Sequence, residues 1–164
     1  MSEPAASLSV EIIRMLTARH QTIAVAESLT GGLLTAELIR TPGASAVVLG
    51  GIVAYNTELK RTLLGVGADL LSTHGPVHPE VAAQMAAGVR THLAVDGRPA
   101  DIGISTTGVA GPGPEAGHPA GTVFLGFAIG TTVHSTQLGL TGDRDEVRAA
   151  VVRESLAALA NLLA

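Results

Sequence analysis

Residues 24–40 read AVAESLTGGLLTAELIR, an apolar run that gives way, through a serine and two glycines, to a helical pattern. Residues 22–26 are apolar and β-branched, which predicts a short buried strand. Leu33, Leu34, Ala36, Leu38 and Ile39 then recur at helical spacing until TPG at residues 41–43 breaks the pattern. A strand that runs into a helix through a tight turn is a building unit of layered α/β folds, and it sets Ser28 in the turn. Two roles are open to that serine. It caps the helix, the ordinary employment of a serine there, or it is a nucleophile beside backbone N–H groups that hold an oxyanion. Thr30 is the better-placed cap. Gly31 and Gly32 cost helix stability and suit the close approach of a carboxamide oxygen or a phosphate. The stretch is not the Gly-x-Ser-x-Gly elbow.

Outward from this unit, Leu8, Ile12, Met15 and Leu16 predict a helix before the strand. SAVVLGGIVAYN, residues 45–56, reads as a strand with a bulge or bend at Gly50 and Gly51, ending near Tyr55, and Lys60 follows on a short helix. Pro79 opens a helix on which Val81, Met85, Val89 and Leu93 form one buried stripe. Residues 102–106 predict a buried strand, 108–121 a loop, and 122–129 another strand. GTT at 130–132 suggests a hairpin into residues 133–140. A last helix, with Val147, Val151, Ala158 and Leu162 on its buried face, closes the chain. Helices alternating with strands, plus one hairpin, predict a single α/β layered domain over residues 1–164 with a mixed sheet.

At 164 residues one core is the default, since a chain this size buries roughly two-thirds of its unfolded surface. The absence of cysteine excludes disulfides, zinc–thiolate sites and a thiol nucleophile, and makes the cytoplasm the expected compartment. MSEPAASLSVEIIRMLTARH has no basic region followed by an unbroken apolar segment, and no window is long enough for a membrane span. A net charge of −4 with only three aromatic residues, Tyr55, Phe124 and Phe127, disfavours nucleic acid as a partner and leaves a small-molecule site. Lys60 is the only lysine. Every other basic side chain apart from histidine is arginine, which effectively never deprotonates, so Lys60 is the one candidate amine base on a side chain.

A lone lysine on a short helix is usually a solvated charge, but one held near a serine in a poorly solvated pocket is driven neutral and takes the hydroxyl proton. Tyr55 either packs at the strand end or hydrogen-bonds in the same cluster. STTGVAGPGP, residues 105–114, is either a surface loop or a ligand site at a strand end, with Thr106, Thr107 and the amides of Gly108 and Gly111 as donors. In TGDRDEVR, residues 141–148, Asp143 reads as a helix cap and Arg144 and Arg148 as partners of acids, or the arginines form a phosphate site. No dinucleotide or Walker-type loop is present. His74 and His78 are four apart, but Gly75, Pro76 and Pro79 keep them off one helical face, so no metal site is expected.

AESLTGG, GGIVAYNTELK, LLGV, HGPVHPEVAAQMA, TTGVAGP, PAGTVFLGFA and GDRDEVR, in this order, resemble the C-terminal domain of the CinA competence/damage-inducible family, whose stand-alone members are nicotinamide-nucleotide amidohydrolases. The resemblance spans nearly the whole chain. It implies a three-layer α/β/α domain, a homodimer, no cofactor, and hydrolysis of the carboxamide of nicotinamide mononucleotide to nicotinic acid mononucleotide and ammonia. Ser28 and Lys60 match the family's Ser/Lys pair, and Tyr55 and Thr107 match further positions around its site. Glu27, Thr30, Gly31, Gly32, Asn56, Gly108 and Gly111 are the matching positions expected to bind substrate, with Arg144 on the phosphate. Backbone amides near Gly31 or Gly108 are the candidates for the oxyanion. Leu29 stands where the family usually has cysteine, and GPGPEAGHPAG replaces a more glycine-rich loop, with His118 where lysine is common. The N-terminal domain of longer relatives, linked to ADP-ribose pyrophosphatase activity, is expected to be absent. The rival reading is a non-catalytic nucleotide- or partner-binding module in competence or DNA-damage response.

Overall fold

In the computed structural model, which describes residues 4–164, the chain runs α1 (Ala5–Arg19), β1 (Ile23–Glu27), α2 (Leu33–Ile39), β2 (Val48–Val53), α3 (Thr57–Leu64), α4 (Ala68–His74), α5 (Pro79–His92), β3 (Ile102–Gly108), β4 (Thr122–Ile129), β5 (Thr132–Gly139) and α6 (Arg144–Leu163). Residues 1–3, which open the stretch read for a targeting signal, lie outside the described residues. Among the described residues no helix is long and apolar enough to cross a membrane.

The five strands form an open mixed sheet in the order β2-β1-β3-β4-β5. β1 pairs in parallel with β2 on one side and β3 on the other, and β3, β4 and β5 are antiparallel. Because β2 and β3 flank β1, right-handed crossovers send α2 over one face and α3 to α5 over the other. Side chains of β1 therefore divide between two cores. Ile23 and Val25 join α1, α2 and α6, whereas Ala24 and Ala26 join Val81, Met85 and Val89 of α5 and Leu64 of α3. The result is a three-layer α/β/α arrangement. The carboxyl ends of β1 and β3 lie side by side at the point where the chain reverses its direction of travel across the sheet, the place where open α/β sheets bind ligands.

Several local expectations are revised. β2 ends at Val53, so Tyr55 lies in the link to α3. Of the bulge or bend expected at Gly50 and Gly51, the bulge is what forms, with the register to β1 skipping from Val48 to Gly50. α4 has no counterpart in the sequence reading because none of its residues is buried and no apolar period marks it. On α6, Ala158 is only half-buried and Leu162 is 44% exposed; the buried face instead runs through Val147, Val151, Leu156, Leu159 and Leu163. That helix touches α1, α2 and β4 together, so its buried face is broader than one stripe.

α5 lies unusually close to the sheet. A Cβ on Gly103 of β3 would overlap the carbonyl oxygen of Ala86, and one on Gly126 of β4 the carbonyl oxygen of Ala82. Both obstacles are helix backbone, which cannot rotate away. Gly103→Ala and Gly126→Ala are each expected to lose on the order of 3 kcal/mol in urea denaturation as α5 is pushed off the sheet. Gly139→Ala on β5, where a Cβ meets nothing, is the control and should change stability by less than about 0.5 kcal/mol. Near-neutral values at Gly103 and Gly126 would refute the close packing.

Candidate active site

The alternation of β1 continues past its end. Glu27 points into the α1–α2–α6 layer and Ser28, one residue later, into the α3–α5 layer. The Glu27 carboxylate is fully buried. One oxygen accepts from the Gly32 and Leu34 amides at 3.1 and 3.0 Å, the other from the Thr35 amide and hydroxyl at 2.8 and 2.7 Å. This carboxylate caps α2, at the end of the helix where its dipole favours negative charge. Gly32, the residue at the cap position, has no side chain to do so. Gly31 and Gly32 both adopt left-handed backbone, with φ of 60° and 102°, and the turn needs glycine there for its own geometry.

Three expectations change as a result. Glu27 has its two oxygens committed to α2 and is not free to bind substrate. Thr30 does not cap the helix; its hydroxyl is buried against that of Thr106 at 2.8 Å. Ser28 caps nothing either. Its amide donates to the Thr106 carbonyl at 3.0 Å, which continues the β1–β3 ladder by one residue, and its Oγ meets Lys60.

Lys60 lies on the inward side of α3, whose only buried residues are Lys60 and Leu64. Asn56 starts this helix, its Oδ1 accepting from the Glu58 amide at 2.9 Å, so the Asn56 side chain is a helix cap. The Lys60 side chain is 1% exposed. Nζ donates to Ser28 Oγ at 3.0 Å and to the Ala54 carbonyl at 2.7 Å. Burial pushes the Lys60 ammonium down to about 8, and the Glu115 carboxylate acts in the opposite direction. At pH 7 about a tenth of the molecules then carry the free amine, against well under a thousandth for an exposed lysine.

Ser28, Lys60, Tyr55, Thr107, Gly108 and Arg144 line one small cleft of about 80 Å3, together with Leu29, Thr57, Pro76, Val77, Ala110 and Glu115. Glu27, Thr30, Gly31, Gly32, Asn56 and Gly111 do not line it. Tyr55 is 61% exposed, and its hydroxyl pairs with Arg144 Nη2 at 3.1 Å, away from the Ser28–Lys60 contact. Arg144 Nη1 donates to the Gly111 carbonyl at 2.6 Å, so the guanidinium ties the loop after β3 to the link after β2. The Thr107 hydroxyl is buried and donates to the Pro76 carbonyl at 2.7 Å, fixing one wall.

The two amides considered for an oxyanion now separate. The Gly31 amide is spent on the Ser28 carbonyl at 3.1 Å. Val109 donates to Thr122 of β4, and the alternation of the antiparallel ladder turns the preceding amide, that of Gly108, the other way, toward the Ser28 turn. Arg148, read from sequence as a partner of acids or as part of a phosphate site with Arg144, does bridge Asp145 at 3.4 Å. It also reaches across the layer: Nε donates to the Leu29 carbonyl at 3.0 Å and Nη2 to the Thr30 carbonyl at 3.3 Å. The sequence signal for it was its place one turn after Arg144 on the same helix.

Two other features are distinct from this cleft. A roomier hollow of about 620 Å3 lies at the opposite end of the sheet, between His20, Thr22, Asp96, Arg98 and Asp101. Its hydroxyl and one carboxylate are already bonded to each other. The rings of His74 and His78 stack with centroids 4.6 Å apart. Among the described residues no group of three or more potential metal-ligating side chains converges.

Residues 5–163 match the family model described as the CinA C-terminal domain. The chain is 45% identical to a CinA-like protein of Frankia casuarinae over 96% of its own length and 35% of the relative's. It is 47% identical to a putative competence-damage inducible protein of a Geobacillus species over 87% of its length and 33% of that relative's. It thus spans about a third of the length of these curated relatives. Among solved structures, the competence damage-inducible protein A of Klebsiella pneumoniae superposes with a TM-score of 0.90 at 36% identity, covering 98% of both chains. The competence/damage inducible protein CihA of Agrobacterium tumefaciens gives 0.89 at 35% identity over 99% of both.

The buried lysine makes stability depend on pH with a definite sign. Unfolded, Lys60 keeps a value near 10.5, and folded it titrates near 8, so between these values the unfolded chain holds more protons and stability rises with pH. Lys60→Met removes that dependence. The stability of wild type relative to Lys60→Met should be flat below about pH 7.5 and rise by about 3 kcal/mol by pH 10.5, as read by urea melts across that range. A difference that stays constant would mean Lys60 titrates like an exposed lysine.

Proposed function

The chain belongs to the CinA C-terminal domain family, and from that membership together with the buried Ser28–Lys60 contact we propose that it is a nicotinamide-nucleotide amidohydrolase. It converts nicotinamide mononucleotide to nicotinic acid mononucleotide and ammonia, a step of pyridine-nucleotide salvage. The observation that carries this reading is the 3.0 Å contact between Ser28 Oγ and the only lysine of the chain, 1% exposed.

Neutral Lys60 accepts the Ser28 proton as Oγ adds to the carboxamide carbon. The Gly108 amide, directed at the Ser28 turn, holds the oxyanion. Collapse breaks the C–N bond, with the Lys60 ammonium returning the proton to the departing nitrogen, so ammonia leaves and an ester on Ser28 remains. Water then adds to the ester, giving its proton to Lys60, and the ammonium reprotonates Ser28 as the carboxylic acid departs. The Ala54 carbonyl keeps Nζ aimed at Oγ throughout, and Arg148 fixes the turn that carries the nucleophile. Arg144 retains donors beyond those given to Gly111 and Tyr55 and takes the ligand phosphate at the rim. A module that only binds has no use for this arrangement. Holding Lys60 out of water costs about 3 kcal/mol of stability at neutral pH, and a binding site is served as well by a neutral side chain.

Incubation with nicotinamide mononucleotide should release ammonia. Ser28→Ala and Lys60→Met should each lose at least about a thousandfold in turnover while the mononucleotide still raises the melting temperature. Ammonia release by Ser28→Ala at near wild-type rate would end the proposal. Turnover should rise about tenfold per pH unit below about 8 and level off above it, since the free amine is the active form. Arg144→Ala should weaken binding of the mononucleotide about tenfold or more and that of the phosphate-free riboside about twofold or less. Equal losses would remove Arg144 from the phosphate.

A further inference from the structure

Glu115 is the only carboxylate lining the cleft, and the mechanism above makes no use of it. Its backbone is held by a bridge to His118, with the Glu115 amide donating to the His118 carbonyl at 3.0 Å and the His118 amide returning to Glu115 at 2.9 Å. The loop that carries it rests on the turn between α4 and α5, where a Cβ on Gly75 would touch Ala116. Among the described residues no cation pairs with the Glu115 side chain. An acid placed on a fixed loop at the wall of a cleft, with no partner of its own, is available to a charge on the ligand.

The cleft therefore presents opposite charges from different elements: Arg144 of α6 at the rim and Glu115 of the loop before β4. The proposed substrate is charged in the same sense, with an anionic phosphate at one end and a cationic ring at the other. Its ring nitrogen is alkylated by the ribose and carries a formal positive charge three bonds from the carboxamide carbon. Placing that carbon at Ser28 Oγ brings the ring cation into the cleft whose only carboxylate is Glu115. Resting on the amidohydrolase reading, we propose that Glu115 is a specificity-determining residue, selecting carboxamides carried on a cationic, N-alkylated ring over neutral carboxamides. The carboxylate reaches the reacting centre through space, favouring the protonated form of Lys60 against the effect of burial. Arg144 is the other free-standing charge lining the cleft with them, and His74, Glu80 and His118, the last on the loop of Glu115 itself, act electrostatically on His78 of the neighbouring turn.

Two measurements test this, one of them free of substrate. Lys60 is the single lysine, so protein labelled with carbon-13 at lysine Cε gives one side-chain signal whose titration reports Lys60 alone. Read above pH 7.5, where an ordinary imidazole is already neutral, the Lys60 midpoint should fall by about half a unit in Glu115→Gln. An unmoved midpoint would place the carboxylate outside the cleft and overturn the proposal. In a Ser28→Ala background, calorimetry then compares nicotinamide mononucleotide, with its cationic ring, with the reduced mononucleotide, which keeps the phosphate and has a neutral dihydropyridine ring. Glu115→Gln should weaken the cation about 5- to 20-fold and the neutral form about twofold or less, with Glu115→Asp retaining most of the discrimination. Equal weakening of both ligands overturns the selection role and leaves the amidohydrolase reading in place. Failure of the Glu115-containing protein to bind the mononucleotide at all overturns both, and the Lys60 titration distinguishes that case from a misplaced carboxylate.

Discussion

Glu27 and Ser28 are neighbours in the chain and serve opposite layers of the protein, and the rest of the site depends on that division. The Glu27 carboxylate is buried with four hydrogen bonds to the start of α2. A buried carboxylate left without partners is worth several kcal/mol of destabilisation, so the turn is held to the one geometry that satisfies it. In that geometry the peptide leaves β1 with Ser28 still in ladder register, its amide on Thr106, and its hydroxyl directed to the other face. Gly31 and Gly32 then bend the chain through left-handed backbone so that α2 begins over the carboxylate. The position of Ser28 Oγ is a by-product of how the preceding residue is satisfied.

On the other face, Lys60 is held by a different kind of constraint. α3 is short and polar, and a lysine is among the two residues it buries. Elsewhere such a side chain would extend its ammonium to water. Here the Ala54 carbonyl and Ser28 Oγ occupy Nζ at the bottom of the cleft, and the aliphatic stem fills the space between α3 and the sheet. Desolvation lowers the proton affinity of the amine toward neutral pH, so burial that weakens the fold is the same burial that frees part of the amine from its proton.

Helix α6 completes the arrangement from a distance in sequence. Asp143 and Glu146 form a reciprocal capping box at its start, which orients the first turn firmly. Arg144 and Arg148, one turn apart, then reach two different parts of the site. Arg144 joins the Gly111 carbonyl to the Tyr55 hydroxyl at the rim, and Arg148 holds the Leu29 and Thr30 carbonyls behind Ser28. One well-capped helix end thereby braces both the loop after β3 and the turn after β1.

The sequence by itself determined the layered α/β class, the strand–turn–helix around Ser28 and the chemistry available to the chain. Those follow from local patterns, the short apolar run of residues 22–26 and the 3.6 period of α5, and from composition, since a single lysine and no cysteine leave few candidates for a base or a nucleophile. It also supplied motif positions, among which Ser28, Lys60, Tyr55, Thr107, Gly108 and Arg144 meet at one cleft. What it did not determine is which polar side chains face that cleft and which are spent on the fold. Glu27 and Asn56 read as ligand-binding residues and are helix caps; Glu115, in a stretch without periodicity, lines the cleft unannounced. The physical reason is that the partner a polar side chain finds, near or far in the chain, depends on how the backbone is turned and packed around it. Glu27 finds its partners five to eight residues away, Lys60 meets Ser28 across 32 residues, and Arg148 meets Leu29 across 119. Only the packed sheet and helices decide those pairings, because no local pattern encodes the direction in which a polar side chain will find its partner.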